Sequence, residues 1–353
     1  MFRKLAAFIF VAAVSVAATF AGEVHAGYKV LAPISHGNLT IFPVVASGTH
    51  DTSDFLTLDE GLRSGEVVVT EAGRIQPLMR RHVWPNPSGG GEVNRLVLVN
   101  NSNRPLLLLA GEIVTGGKQD RVIGKDRIVP AKSDPIDLSV FCVEPGRWTD
   151  VSPNFKGMSS QMAQPSVRRK AMAEKNQQAV WDSVRSSNEA VAQAAPPGVA
   201  GAIGGTTSYA RVMDNSEVKK QVDEIAAPMQ REYQGLLHEL RARNAVGVVA
   251  AVNGRILWAD VFASTALLEK YWPKLVRSYA AEAYVVHASS YSKTDTRAAQ
   301  DFIDNLEGRR QVSEVEPGVF RHTEISGDGF KVFELTSLLP KTGFDLHLAK
   351  AAE

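Results

Sequence analysis

The chain has 353 residues, 44% of them hydrophobic and 22% charged, with a formal net charge of +1. This composition excludes a disordered or fibrous chain, and the near-zero charge excludes a global basic field for nucleic acid or an anionic membrane. The single cysteine, Cys142, excludes an intramolecular disulfide, so stability rests on the core.

Residues 1–26 read as a secretory signal peptide. Arg3 and Lys4 form a positive start, Leu5 to Phe20 an apolar core, and Val24-His25-Ala26 a small-residue cleavage site. The alternative is an uncleaved anchor, but the apolar run falls short of the roughly 20 residues a spanning helix needs. No cysteine near the site allows lipoprotein processing. The expectation is export to the periplasm or beyond, with cleavage near Ala26 and no membrane attachment afterwards.

Residues 27–353 are expected to form one domain of α+β class. Its first part, 27–150, reads as mostly antiparallel and sandwich-like, with strands at Leu39–Val45, Glu66–Thr70, Arg95–Val99 and Leu106–Leu109. Thr57 and Glu60 have the spacing of a capping box before a short helix. In the second part, 151–353, helical composition predicts one helix over Val167–Gln193. The stretch 194–208, with two prolines and four glycines, reads as a flexible loop or lid. A helix over Glu217–Arg243 contains Pro228. Asn253-Gly254 between two apolar runs predicts a hairpin. Apolar residues at three-and-four spacing predict a helix over Thr265–Ala283, capped by Ser264. A shorter helix, Thr296–Leu306, and C-terminal strands at Gly318–Ile325, Phe330–Leu335 and Phe344–Leu348 complete the chain.

The unusual residues gather between Leu106 and Trp148. Gly116 and Gly117 free the backbone to turn its N–H groups inward as an anion-binding concavity. Lys118 and Arg121 add charge, and Gln119 adds an amide. The run is not a P-loop, because Gln119 stands where that motif has Ser or Thr. Glu112 and Glu144 each close an apolar strand and are the candidate acid and base, a pair that could serve glycoside hydrolysis or simply bridge to arginine. Arg147 and Trp148 are candidates for stacking on an aromatic ligand or for closing the sandwich end. Alternation along Ile136–Cys142 places Cys142 on the buried face as an inert thiol. The histidines are scattered, so neither a metal nor another cofactor is expected.

Two segments together, Gly111-Glu112 with Gly116-Gly117-Lys118-Gln119-Asp120-Arg121 and then Cys142-Val143-Glu144-Pro145-Gly146-Arg147-Trp148, resemble the ARPP-1 domain family. Its name, ARG and Rhodanese-Phosphatase-superfamily-associated Protein domain, records association with ADP-ribosylglycohydrolase-type and phosphatase-type domains. The resemblance implies a nucleotide- or ADP-ribose-like ligand and no established reaction. Two functions are therefore carried forward. In one, Gly116, Gly117, Lys118, Gln119, Arg121, Arg147 and Trp148 bind an anionic small ligand, with hydrolysis through Glu112 or Glu144 left open. In the other, the same residues are a salt-bridge cluster in a non-enzymatic envelope protein.

Overall fold

A computed structural model describes residues 27–71, 95–147, 149, 151–158, 161–240, 243–286 and 292–353. The signal segment and Trp148 lie outside the described residues.

In chain order, the first strands are β1 (Lys29–Val30), β2 (Ile34–His36), β3 (Leu39–Val45) and β4 (Leu56–Thr57), followed by helix α1 (Leu58–Ser64). Next come β5 (Val67–Glu71), β6 (Arg95–Asn100), β7 (Leu106–Leu108), β8 (Ile113–Thr115), β9 (Arg121–Ile123), β10 (Arg127–Val129), β11 (Ile136–Cys142) and β12 (Lys156–Gly157). The helical stretch holds α2 (Pro165–Arg169), a π-helical turn (Lys170–Glu174), α3 (Gln177–Ala194), α4 (Pro197–Gly204), α5 (Tyr209–Asp214) and α6 (Ser216–Leu240). Then follow β13 (Ala245–Val252), β14 (Arg255–Phe262), α7 (Thr265–Val285), α8 (Thr296–Asp304), β15 (Arg309–Glu316), β16 (Phe320–Gly327), β17 (Phe330–Ser337) and β18 (Asp345–Ala352).

The chain is α+β, and its strands form three sheets. The largest has nine strands in the order β1-β3-β13-β14-β18-β17-β16-β15, with β2 also paired to β3. A six-stranded sheet (β12-β8-β9-β11-β6-β5) faces a three-stranded one (β10-β7-β4). Leu56, Val69, Leu98, Leu106, Ile123 and Val140 fill the core between these two smaller sheets, a sandwich-like unit. The first three strands belong to the large sheet instead: β3 pairs along its length with β13, so Val45 faces Ala245.

Helices α6 and α7 pack on one face of the large sheet. The apolar stripe of α7, including Leu268, Tyr271, Trp272 and Tyr279, is buried there. On the other face Ala299 and Ile303 of α8 cover Phe42, Val249 and Val332. Local signals explain the element ends. Thr57 and Glu60 make the reciprocal capping box at α1. Ser264 accepts from Leu267 N–H at α7, and Asn253 and Gly254 take positive φ in the β13–β14 turn.

Two expectations are corrected, and one strand is added. The stretch 194–208 is not a loop throughout, since α4 occupies Pro197–Gly204. Pro197 suits the first turn of a helix, and Ile203 buries itself in the main core. The single helix over Val167–Gln193 is split: Lys175 takes φ +50° after the π-helical turn, and Asn176 caps a new helix by accepting from Ala179 N–H. The added strand is β15, in a segment for which no element was expected because charge obscured strand character. It is an edge strand, and charged side chains are what such an edge tolerates.

Candidate functional site

Strand pairing brings the two motif segments together. β8 and β9 are antiparallel neighbours, so residues 116–120 form their connecting turn. β9 also pairs with β11, with Arg121 opposite Cys142, which sets Glu144 and Arg147 beside that turn. Val143 N–H donates to Asp120 O at 3.1 Å and closes the junction. Both glycines are required by space as well as by backbone. Gly116 has φ +136° and Gly117 φ +50°. A Cβ on Gly117 would lie 2.4 Å from the Phe155 ring and 2.6 Å from Glu71 Oε1.

The turn's N–H groups do point inward, and the chain's own carboxylates meet them. Gly116 N–H donates to Asp120 Oδ1 at 3.1 Å, Lys118 N–H to Glu71 Oε1 at 2.9 Å, and Asp120 N–H to Glu144 Oε2 at 3.2 Å. Gln119 Nε2 donates to Glu144 O at 3.1 Å. Arg147 ties the cluster. Its guanidinium lies 2.5 Å from Glu144 Oε2 and 3.4 Å from Asp120 Oδ1, and it donates to Gly117 O at 3.0 Å. Ser208, the N-cap of α5, donates from Oγ to Asp120 Oδ2 at 3.2 Å. At the rim, Arg211 is 62% exposed with Nε 4.0 Å from Glu144 Oε1, so the cluster reaches solvent beside a cation.

Burial raises the Asp120 carboxyl, and the neighbouring Glu144 charge adds to the shift. For Arg147 the loss of hydration is outweighed by Glu144 and Asp120, and its pKa rises. Arg121 is fully buried, and desolvation pulls its guanidinium down. Cys142 is buried beneath the junction, its Sγ accepting from Glu144 N–H at 3.3 Å, and burial pushes the thiol up. Among the buried polar atoms of this cluster, Glu71 Oε2, Gln119 Oε1 and Arg147 Nε make no hydrogen bond among the described residues.

Glu112 sits in a different cluster, at the other end of β8. Its Oε2 accepts from Leu109 N–H at 3.0 Å, and its Oε1 lies 2.9 Å from Lys274 Nζ. Asp59 holds the same ammonium at 2.9 Å. Burial raises the Glu112 carboxyl and outweighs the opposing pull of Lys274. Glu112 and Glu144 thus share no partner among the described residues. Gly111, at φ +94°, lets the buried stem of Arg168 approach, since a Cβ would lie 2.6 Å from its Cγ.

Arg168 leads to a third, fully buried network that sequence reasoning did not find. Its guanidinium grips both oxygens of Asp260 at 2.9 Å and lies 4.5 Å from the centre of the Trp258 ring. Tyr279 Oη donates to the same carboxylate, and His347 bridges Asp260 to Asp126. Asp59, Glu71, Asp120, Ser208 and Lys274 were also missed. Only Asp120 lay inside a recognised motif; the others are brought in by long-range packing.

A family model for the ARG and Rhodanese-Phosphatase-superfamily-associated Protein domain, ARPP-1, matches residues 27–348. No curated protein and no solved structure matches the chain. With the match spanning nearly all of the 353 residues and both motif segments within it, the chain belongs to the ARPP-1 family.

Proposed function

We propose that this ARPP-1 chain is exported, and that it binds a small ligand carrying both hydroxyl and anionic groups, of the phosphosugar, nucleotide or ADP-ribose class, at the junction of the two motif segments. The observation that carries the reading is the set of buried atoms, Glu71 Oε2, Gln119 Oε1 and Arg147 Nε, that lack a partner among the described residues within one cluster. Buried polar groups normally find partners. Two of these are acceptors, suited to ligand hydroxyls, and the third is a cationic donor suited to an oxyanion. Arg211 supplies further positive charge at the rim. If the ligand is cleaved, Asp120 and Glu144 are the proton-transfer pair: two neighbouring carboxylates, one raised, present an acid beside a base. Glu112 takes no part in this scheme, because Lys274 and Leu109 N–H hold both its oxygens.

A second reading rests on the turn's N–H groups being taken by Glu71, Asp120 and Glu144. In it the motif is a structural salt-bridge cluster that fixes the smaller β unit of an envelope protein.

Thermal unfolding separates the two readings. The purified protein is heated with ADP-ribose, AMP or ribose 5-phosphate, in wild type and in Gln119→Ala. A ligand at about 100 times its dissociation constant stabilises by roughly 2.7 kcal/mol. A raised midpoint that Gln119→Ala loses supports binding. No shift with any of the three, with Arg147→Ala strongly destabilised, supports the structural reading. Export is tested by the mass of the protein recovered outside the cytoplasm, expected to begin at Gly27.

A further inference from the structure

We propose that a second site, in the seam between β10–β11 and β15–β16, binds a small monocarboxylate with an apolar body, its carboxylate held by Lys125 and His322.

The seam contains a pocket of about 150 Å3, a volume comparable to an apolar cavity that admits benzene. Leu108, Ile123, Leu138 and Phe320 give it apolar walls, and Lys125, Asp126, Arg127 and Glu316 place charges around it. Ser139, also in its lining, is exposed. Most of the charges are already matched. Arg127 pairs with Glu316 across the rim. Asp126 accepts from Ala110 N–H at 2.7 Å and contacts His347 at 2.6 Å. Lys125 is the exception: among the described residues its ammonium bonds only Ser313 Oγ, at 3.3 Å, and Glu324 and Asp126 act on it without forming an ion pair.

Ser313 leads to His322, since the two face each other across β15 and β16. Phe320, two residues before His322 on β16, is therefore on the same face of the sheet and lines the pocket. His322 is 1% exposed. Neither of its ring nitrogens has a hydrogen-bond partner among the described residues. The nearest carboxylate oxygen, of Glu324, is 3.7 Å from Nδ1, beyond hydrogen-bond range. That carboxylate is held by Lys175 at 2.6 and 2.8 Å. A buried imidazole with both nitrogens unpartnered is costly. Burial and the adjacent Lys125 charge lower its pKa to about 4, so it is neutral near pH 7 and offers one N–H donor. The under-paired ammonium lines the pocket, and the neutral N–H donor lies on the same sheet face as its Phe320 wall; together they match a carboxylate on a ring- or chain-sized body.

The site is distinct from the Asp120–Glu144 junction. The two lie toward opposite ends of the β9–β11 pair, at Ile123 and Ser139 here and at Arg121 and Cys142 there.

The test is calorimetric titration of the purified protein with benzoate, with benzamide as its neutral isostere, and with inorganic phosphate. Benzoate is expected to bind at least tenfold more tightly than either. Lys125→Met, whose thermal midpoint is checked first, is expected to weaken benzoate at least tenfold. In histidine-labelled wild type, benzoate should shift the ring-nitrogen resonances of His322. The proposal is overturned if benzoate does not bind, if benzamide or phosphate binds equally well, if Lys125→Met binds benzoate as wild type does, or if the His322 signals do not move.

Discussion

His347 stands between two buried aspartates, with Nδ1 2.6 Å from Asp126 and Nε2 3.2 Å from Asp260. Burial would lower its pKa, but the two carboxylates outweigh this and raise it to about 9. Both carboxyls are correspondingly held below their ordinary range. The charges balance: Arg168 and His347 against Asp126 and Asp260. A histidine whose folded pKa is raised stabilises fully below its unfolded value, about 6.5, and loses that contribution as pH climbs through the folded value. The protein is therefore expected to lose roughly 3 kcal/mol of stability from this group between about pH 6.5 and 9. Lys350, lowered to about 8 mainly by burial, acts in the opposite direction above that pH. Urea unfolding of wild type and His347→Asn across this range isolates the effect. An unchanged pH slope in the variant would rule it out.

The Lys274 ammonium holds Glu112 and Asp59, each at 2.9 Å. Lys274→Met would leave the buried Glu112 without its cation, a loss expected to cost roughly 3–5 kcal/mol. Adding Glu112→Gln removes the stranded charge and keeps an acceptor for Leu109 N–H. The double variant is thus expected to regain most of the stability, as read from denaturation midpoints. A double variant no better than the single one would mean that Glu112 is not the source of the loss.

Gly111→Ala is expected to cost about 3 kcal/mol, from a strained positive φ and from displacing Arg168. Because Arg168 also faces Trp258, the indole fluorescence should change in the folded variant. A variant with wild-type stability would contradict the close approach.

Asp120→Asn keeps an acceptor for Gly116 N–H and removes a charge facing Glu144. With the carboxyl already raised by burial and by Glu144, the change is expected to alter stability at pH 7 by no more than about 1 kcal/mol. A loss above 2 kcal/mol would indicate that the charged carboxylate, held by Arg147, is what the fold requires.

How much of this was legible depended on sequence distance. The Thr57–Glu60 box, the Asn253-Gly254 turn and the α7 stripe are set by neighbours a few residues apart, and the chain adopts them as expected. The motif segments read correctly as a turn and a strand end. What periodicity does not contain is that β9 pairs with β11 and so brings Glu144 N-terminal to Arg147 against Asp120. Lys274 meets Glu112 from 162 residues away, and in sequence it looks like an ordinary helical lysine. Composition misled at Pro197–Gly204, where glycines and prolines signal a break, but Pro197 starts a helix and Ile203 finds a core.

The pairing of β3 with β13 has a consequence for synthesis. All seven residues of β3 are buried in the finished molecule, yet Val45 must wait for Ala245, about two hundred residues later, to complete its place in the sheet. At roughly 5–20 residues per second, an apolar strand leaves the ribosome about 10–40 seconds before its neighbour exists. The nascent chain thus passes through a long interval with an adhesive edge, when a chaperone has the most to cover and a stalled ribosome would do the most harm.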